Sequence, residues 1–240
     1  MRPRRVLPVL LLAPVLALTG CTPSGAAAAR PGGAAGPATP AGGEAYRAVD
    51  ALAVKGRAPK TGYAREEFGS PWLDTDRNGC DTRDDILRRD LANALVKGDD
   101  CKVISGVLQK DPYTGARLAY ERGQSVMDVD HVVALSDAWQ KGARRWDEGK
   151  RIAFANDPLN LVAVDAAANR RKGDGDAASW LPHNREYRCP YVAAQVAVKK
   201  KYGLWVTAAE RDAMRRILSG CPDQTLPAGG NPTRPPARFR

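Results

Sequence analysis

Two short apolar segments followed by the start of a helix occupy the middle of this chain. Residues 126–133 have the sequence Val-Met-Asp-Val-Asp-His-Val-Val, and residues 160–164 have the sequence Asn-Leu-Val-Ala-Val. Each segment has the length of a buried strand, and Asp165 is of a type preferred at helix N-termini. We therefore expect a strand, a second strand and then a helix that carries Asn169.

Further helices and a hairpin are predicted around this central unit. Apolar spacing predicts helices at residues 44–54, 82–97, 136–142, 147–155, 187–202 and 207–218. Ser136 is the expected N-cap of the third helix, and Thr207 and Glu210 have the spacing of a capping box. Segments 102–109 and 116–121 flank a turn-rich Asp-Pro-Tyr-Thr-Gly sequence, which predicts a hairpin. The expected fold class is α+β, with a small antiparallel sheet surrounded by helices.

Residues 1–20 have the pattern of an export signal. Arg2, Arg4 and Arg5 precede an apolar run at residues 6–18 that is too short to span a membrane. The Leu-Thr-Gly-Cys sequence ending at Cys21 is similar to the lipobox of bacterial lipoproteins, which implies cleavage before this cysteine and lipid attachment to its thiol. An ordinary secretory signal is the alternative. Both predict export, either lipid-anchored to the outer face of the cell membrane or secreted.

Segments without large apolar side chains set the limits of the expected domain. Residues 21–44 contain mostly Ala, Gly, Pro and Thr, which predicts a flexible linker after the lipidated cysteine. Residues 223–240 are rich in Pro and Arg, and we expect them to be disordered. One domain is therefore predicted at residues 45–222.

Four cysteines fall within the predicted domain. An even number in an oxidising compartment predicts two disulfides, and three pairings are open. We favour Cys80 with Cys101 and Cys189 with Cys221, because each pair encloses one predicted helical segment in a short loop. Zinc binding is the competing use, and the absence of a Cys-x-x-Cys pair argues against it.

The charge of the chain is strongly basic. It contains 37 Lys and Arg against 27 Asp and Glu, a net charge of +10. Much of the excess lies in the second half, beginning with Arg170, Arg171 and Lys172. This distribution predicts that a polyanion docks near these residues. A basic surface that only aids solubility, or adheres to anionic envelope polymers, is the alternative.

The central unit carries the side chains that phosphodiester hydrolysis needs. Asp130 and Asn169 offer hard oxygen ligands that suit Mg²⁺ or Mn²⁺. His131 suits the role of general base, because its unperturbed pKa lies near neutrality. The cations that follow Asn169 supply positive charge for a phosphate.

These residues together resemble the HNH (ββα-metal) nuclease motif. The matching residues are Asp-Val-Asp-His at 128–131 and Asn-x8-Asn-Arg-x-Lys at 160–172. The pattern is shared with the C-terminal domain of GmrSD-type restriction endonucleases and resembles the HNH domain of RNA-guided CRISPR nucleases. The sequence onward to Trp205 is similar to exported actinobacterial HNH endonuclease family proteins. The resemblance implies a ββα-metal core and an endonuclease that hydrolyses DNA phosphodiester bonds.

The resemblance also implies roles for particular side chains. His131 would be the general base that deprotonates the attacking water, and Asp130 and Asn169 would hold one divalent cation. Asn160 matches the central Asn of the motif, a scaffold residue that helps to orient the base. Lys172 would lie near the scissile phosphate.

Two arginines are expected to contact phosphate, and the motif residues also have structural alternatives. Arg170 and its neighbour Arg171 are expected to bind the nucleic-acid backbone. His131 could instead be a hydrogen-bonded structural histidine, Asp130 could pair with an arginine, and the two asparagines could be turn and helix-surface residues. His183 follows a Trp-Leu-Pro sequence and matches no motif position. We expect it to be peripheral to the site.

A second metal site is suggested near residue 74. Counted from Asp74, the chain has Asp74, Asp76 and Asn78 at positions one, three and five, a glycine at position six and Asp85 at position twelve. This spacing looks like an EF-hand calcium loop. Asp81 and Asp85 depart from the usual residues at positions eight and twelve. An Asx-rich turn that caps the following helix is the alternative to a Ca²⁺ site.

Three functions are consistent with these features. The leading hypothesis is an exported, lipid-anchored HNH endonuclease with little sequence specificity, acting on DNA rather than RNA. The alternative is a non-catalytic envelope lipoprotein that binds nucleic acid or another polyanion on an HNH-like fold. A structural, calcium-stabilised envelope lipoprotein is the third. No sequence feature indicates a protein partner, and we expect a monomer whose contact with the membrane is the lipid anchor.

Overall fold

Helices and two small antiparallel sheets make up the fold. The structure, a computed structural model, describes residues 43–98, 101–124 and 126–234. The predicted leader, Cys21 and nearly all of the predicted linker lie outside these residues. Within the described chain the α-helices are α1 (Glu44–Asp50), α2 (Thr82–Asp90), α3 (Leu135–Gln140), α4 (Glu148–Ala155), α5 (Ala166–Lys172), α6 (Arg188–Tyr202) and α7 (Ala208–Leu218). The strands are β1 (Ala92–Val96), β2 (Val103–Leu108), β3 (Leu118–Glu121), β4 (Met127–His131) and β5 (Leu161–Asp165).

Strands β4 and β5 form a two-stranded antiparallel sheet in the centre of the sequence. Asp128 pairs with Val164 and Asp130 pairs with Val162. Because side chains alternate along a strand, these four residues share one face of the sheet. The other face, which includes Val129, packs with the apolar residues of α2. The sheet therefore presents its two aspartates away from α2.

The chain passes from β5 into α5 without a loop. Asp165 ends the strand, and its side chain accepts a hydrogen bond from the backbone N–H of Ala168 at 2.7 Å, which caps the helix. The N–H of Asp165 donates to Asp111 at 2.9 Å. The predicted order of strand, strand and helix, and the N-cap at Asp165, are confirmed.

The second sheet contains β1, β2 and β3 in that order. The hairpin predicted from the turn-rich sequence is confirmed, with Leu108 opposite Leu118. The single helix predicted at 82–97 is wrong, because α2 ends at Asp90 and the next residues form β1. Asn93 has a φ of 53°, and Val96 pairs with Val103 of β2. Pairing with the next strand along the chain thus overrides the local helical spacing.

The predicted start of the third helix also needs correction. Ala134, rather than Ser136, precedes the first turn of α3, and Ser136 lies within that turn. The Ser136 hydroxyl donates to Asp174 at 3.0 Å, so the side chain serves a tertiary contact instead of a cap. The capping box of α7 is confirmed, with both Thr207 and Glu210 in the expected hydrogen bonds.

Helix α6 connects two of the apolar clusters. Tyr191 and Val196 belong to the cluster that includes α1, α7 and the valine face of β5. Val198 and Tyr202 belong to a second cluster with Phe154 of α4. Ten residues of this helix are buried, as expected for a helix enclosed by other elements.

A buried ion network also joins the helices. The side chain of Lys141 is fully buried and pairs with Asp137, Asp176 and Glu210 at 2.6–2.8 Å. Lys199 pairs with Asp137 and Glu210 at 3.0 Å. These contacts tie α3, α6 and α7 to the segment that follows α5, so each buried charge has a partner of opposite sign.

Both favoured disulfides are confirmed. Cys80 is bonded to Cys101 and Cys189 is bonded to Cys221. The first joins the start of α2 to the segment before β2, and the second joins α6 to the end of α7. All four cysteines of the predicted domain are thereby used, which excludes the zinc alternative. Each crosslink is expected to stabilise the fold by about 3 kcal/mol.

The C-terminal segment packs against the domain beyond residue 222. Lys201 donates hydrogen bonds to the carbonyls of Gly229 and Asn231, and the N–H of Asn231 donates to Asp157 at 3.2 Å. Gly229 and Asn231 of the segment expected to be disordered are therefore hydrogen-bonded to the domain, and the disorder of residues 223–240 stays a prediction. Among the described residues, no helix is long and apolar enough to cross a membrane.

Candidate active site

The site is formed where α5 lies against the aspartate-bearing face of β4. The Asn169 amide donates to Asp128 at 3.0 Å, and the Lys172 ammonium pairs with Asp130 at 2.9 Å. Asn169 and Lys172 are one turn apart on the helix, and the two aspartates are alternate residues on the strand. The two halves of the predicted motif are therefore brought together.

Asp130 is held from two directions. The hydroxyl of Tyr113 donates to one carboxylate oxygen at 2.5 Å, and Lys172 approaches both oxygens. Lys172 also donates to the carbonyl of His131 at 2.9 Å. Burial, followed by the charge of Asp130, raises the pKa of Tyr113 well above its usual value, so the phenol remains a donor.

Lys172 is more enclosed than its expected role near the scissile phosphate suggests. Its side chain is 0% exposed, and its ammonium group is engaged by Asp130 and by the backbone. A group so enclosed offers no open approach to a docking phosphate in this conformation, and its role near the scissile phosphate stays a prediction. Lys172 fixes the Asp130 carboxylate and the peptide of the next residue.

His131 has a defined orientation. Its Nε2 lies 2.8 Å from the carbonyl oxygen of Ala155, the last residue of α4. Since a carbonyl can only accept, Nε2 carries the proton and Nδ1 bears the lone pair. The contact also satisfies one of the carbonyls that a helix C-terminus leaves without an intrahelical partner. The Trp72 ring is nearly parallel to the imidazole, at 11° and 6.2 Å between centroids.

The imidazole of His131 is neutral near neutral pH. Burial is the largest cause and lowers its pKa from 6.5 to about 3, with further lowering by the positive charges of Arg65 and Lys172. The hydrogen bond to Ala155 acts in the opposite direction. The side chain is thus available as a proton acceptor without first losing a proton.

Asn160 fixes the chain just after His131. Its side-chain oxygen accepts from the N–H of Val133 at 2.8 Å, and its amide donates to the carbonyl of the same residue at 3.3 Å. The N–H of Val132 donates to the Asn160 carbonyl at 2.7 Å. Asn160 is fully buried, so it lies in the scaffold below the site.

Two open cavities meet at the motif residues. One, of 270 Å³, is lined by Asp128, Asp130, His131 and Asn169, together with Arg65, Trp72 and Arg83. The other, of 380 Å³, shares Asp130, His131 and Asn169 and extends along Lys60, Tyr63 and Asp174. Arg170 and Arg171 are exposed on α5 but line neither cavity. His183 is exposed and lies outside both.

Sequence reasoning missed several residues of this site. Tyr113 lies between β2 and β3, and Arg65 and Trp72 precede α2, so none is near the motif in sequence. Trp72 has a φ of 58°, an uncommon conformation for a bulky side chain. Asp128 could have been identified, because it alternates with Asp130 and must therefore share its face.

The donor set suits a hard divalent cation. The Asn169 amide nitrogen is used by Asp128, which leaves its carbonyl oxygen as the available donor beside the Asp130 carboxylate. Mg²⁺ is commonly bound through one or two carboxylates and keeps several water molecules. Within the described part of the chain, no group of three or more His, Cys, Asp or Glu residues is placed to hold a metal. A metal ion bound here would therefore have few protein ligands, and water in the open cavity would supply the rest of its coordination.

The suggested calcium loop forms a compact Asx turn. Asp74 and Asp76 accept hydrogen bonds from the N–H groups of Asn78 and Gly79 at 3.1–3.2 Å. Burial is the largest cause and raises the pKa of Asp85. The hydrogen bond with Asn78 lowers this pKa, and the negative charges of Asp76 and Asp74 raise it. Asp81 caps α2. The turn predicted as the alternative is present, and calcium binding stays a prediction.

The domain thus places a buried Asp–His pair of β4 against a helix that carries Asn and Lys. The family model of the GmrSD restriction endonuclease C-terminal domain matches residues 81–217, more than half of the chain, and the chain belongs to this family. An uncharacterized secreted protein of the fungus Arthroderma benhamiae is 38% identical over 187 residues, which cover 77% of this chain and 88% of that protein. No solved structure matches the chain.

Proposed function

We propose that this protein is a metal-dependent HNH (ββα-metal) endonuclease that hydrolyses DNA phosphodiester bonds with little sequence specificity. One observation carries the proposal. His131 has its Nε2 proton committed to Ala155, which leaves Nδ1 as an acceptor, and the imidazole lines the same cavity as Asp130 and Asn169. A neutral base beside hard oxygen donors is the arrangement that hydrolysis of a phosphodiester requires.

In the proposed reaction, Nδ1 of His131 accepts a proton from the water that attacks phosphorus. The hydrogen bond from Nε2 to Ala155 holds the ring in one tautomer and stabilises the imidazolium that forms. Asp130 and Asn169 would hold one Mg²⁺ or Mn²⁺, which when bound supplies positive charge for the phosphate and the leaving oxygen. Lys172 and Tyr113 keep the Asp130 carboxylate in place.

Exposed cations support a nucleic-acid substrate. Arg170 and Arg171 are exposed at the end of α5 and make no hydrogen bond or ion pair with the described residues. Such groups would bind phosphates away from the reacting bond, a sequence-independent contact that weakens with salt.

We also propose that the protein is exported and lipid-anchored through Cys21. The fungal relative is described as a secreted protein. The two disulfides of the described domain support an oxidising compartment for this chain. The lipobox-like sequence at residues 18–21 favours the anchor over simple secretion.

Plasmid nicking by the purified protein tests the proposed activity. With Mg²⁺ or Mn²⁺ we expect conversion of supercoiled to nicked plasmid, and no conversion in EDTA. His131→Ala should abolish nicking, and His183→Ala, which changes the exposed second histidine, should retain it. Activity that survives EDTA, or a His131→Ala protein as active as its parent, would contradict the proposal. Salt-sensitive DNA binding without cleavage by the wild-type protein would favour the non-catalytic alternative.

A further inference from the structure

Arg65 occupies a distinctive place beside the candidate site. It is the first residue of a 3₁₀ helix at Arg65–Phe68, and it lines both open cavities that meet at Asp130, His131 and Asn169. It also lines the small cavity between Trp72 and Ala155. Arg65 and His131 therefore line these three cavities together.

The other cations that line these cavities already have partners. Lys60 pairs with Asp174 at 3.1 Å, and Arg83 donates to the hydroxyl of Tyr120 at 3.1 Å. Lys172 lines neither of these two cavities and is buried against Asp130. Among the described residues around the two cavities, the Arg65 guanidinium has no hydrogen bond or ion pair. An exposed, unpaired guanidinium is well suited to an incoming phosphate.

The backbone that carries Arg65 is firmly held. Phe68 is 1% exposed and packs in the cluster that contains Trp139 and Phe154. Arg151 donates to the carbonyl of Glu67 at 2.6 Å. Because the short helix is anchored at Glu67 and Phe68, the backbone of Arg65 is positioned before any ligand arrives, which lowers the entropic cost of binding.

We propose that Arg65 binds the phosphate that is cleaved, and so performs the role that the sequence motif assigns to Lys172. The inference rests on the proposed nuclease function and adds a substrate contact outside the motif. Its guanidinium would donate to non-bridging oxygens of a phosphate that enters the two cavities beside His131. Charge that develops on those oxygens during attack by water would strengthen the contact in the transition state.

Kinetics of Arg65 variants on DNA test this inference. Arg65→Ala should lower kcat/KM by about 100-fold to 1,000-fold, the loss typical when one donor to a developing oxyanion is removed. Arg65→Lys should recover part of the loss, because charge is kept and the bidentate geometry is not. Arg216→Ala, which removes an exposed cation on α7, is the matched control and should stay near wild-type activity. Equal effects of the Arg65→Ala and Arg216→Ala changes would overturn the inference.

Binding measurements keep this inference separate from the nuclease proposal. In a His131→Ala background, a fluorescein-labelled DNA oligonucleotide should bind more weakly after Arg65→Ala, and the slope of log K against log salt should fall by about one. If the wild-type protein fails to cleave but this change in slope appears, the nuclease proposal fails and the phosphate contact stands. An active wild-type enzyme whose Arg65→Ala form is unchanged in both assays would refute the contact alone.

Discussion

The hydroxyl of Tyr113 donates a 2.5 Å hydrogen bond to the carboxylate of Asp130, and both residues are buried. Tyr113 belongs to the connection between β2 and β3, whereas Asp130 is on β4. This hydrogen bond therefore connects the loop between β2 and β3 to the candidate site. The same hydrogen bond fixes the orientation of the Asp130 carboxylate. Hydrogen-bond partners of metal-binding side chains commonly have this role.

Removal of this hydroxyl should weaken the site more than the fold. We expect Tyr113→Phe to reduce metal affinity and nicking activity by about 10-fold to 100-fold, the usual effect of losing an outer partner. The free energy of unfolding should fall by about 1 to 3 kcal/mol, since Asp130 loses one donor. Titration calorimetry with Mn²⁺ and the plasmid assay measure the first effect, and urea denaturation measures the second. Tyr187→Phe is the control, and equal losses in both variants would count against the assignment.

Lys172 should matter greatly for stability. Lys172→Met leaves the buried Asp130 without its cation, which we expect to cost about 3 to 5 kcal/mol. The same change at its exposed neighbour, Arg171→Met, should alter stability by less than about 0.5 kcal/mol. Urea denaturation of the two proteins compares them directly. A small effect at Lys172 would show that the buried ion pair is dispensable.

The ion network predicts a loss of stability in acid. Burial alone would raise the pKa of Asp176, but the charge and hydrogen bond of Lys141, with smaller contributions including Arg57, lower it from 3.8 to about 2. Because the folded value lies below the unfolded value, the stabilisation is present above pH 4 and is lost as the pH falls towards 2. This contribution should be on the order of 2 kcal/mol.

Comparison of Asp176→Asn with the wild-type protein measures this contribution. The difference in free energy of unfolding should be largest near neutral pH and should shrink as the pH falls from about 4 to about 2. Asp212→Asn, an exposed carboxylate on α7, is the control and should not change the pH dependence. A difference for Asp176→Asn that is constant with pH would exclude this linkage.

Calcium should raise the melting temperature if the turn at residues 74–79 is a binding loop. The expected range of affinity is about 10⁻⁴ to 10⁻³ M, as in extracellular modules. Scanning calorimetry with and without Ca²⁺ should show a shift that Asp74→Ala and Asp76→Ala abolish and that Asp223→Ala leaves intact. No shift in the wild-type protein would identify the loop as an Asx turn alone.

Local signals predicted the central unit well. The β4 and β5 segments, the cap at Asp165, and the capping box at Thr207 and Glu210 are encoded within a few residues of where they act. The disulfide pairing followed from short loops around helical segments. The family resemblance rested on the same residues and is confirmed by the match to the GmrSD endonuclease C-terminal domain.

The structure differs from expectation where residues outside a segment decide its conformation. Residues 92–96 have helical spacing but form β1, because β2, the next strand along the chain, offers backbone partners. The Pro-rich C-terminal segment has little apolar surface, yet Lys201 and Asp157 bind its backbone. Arg65 and Tyr113 reach the site only through tertiary packing, so no motif spacing could reveal them.

The packing of the C-terminal segment determines where a recombinant form of this protein should end. Asp157 is fully buried, and its carboxylate accepts from Lys201 and Tyr202 as well as from the N–H of Asn231. A protein truncated just after Cys221 would lose Asn231 and open this polar cluster to water, two residues from the carbonyl that orients His131. Expression boundaries should therefore extend at least to residue 234, and affinity tags belong beyond it.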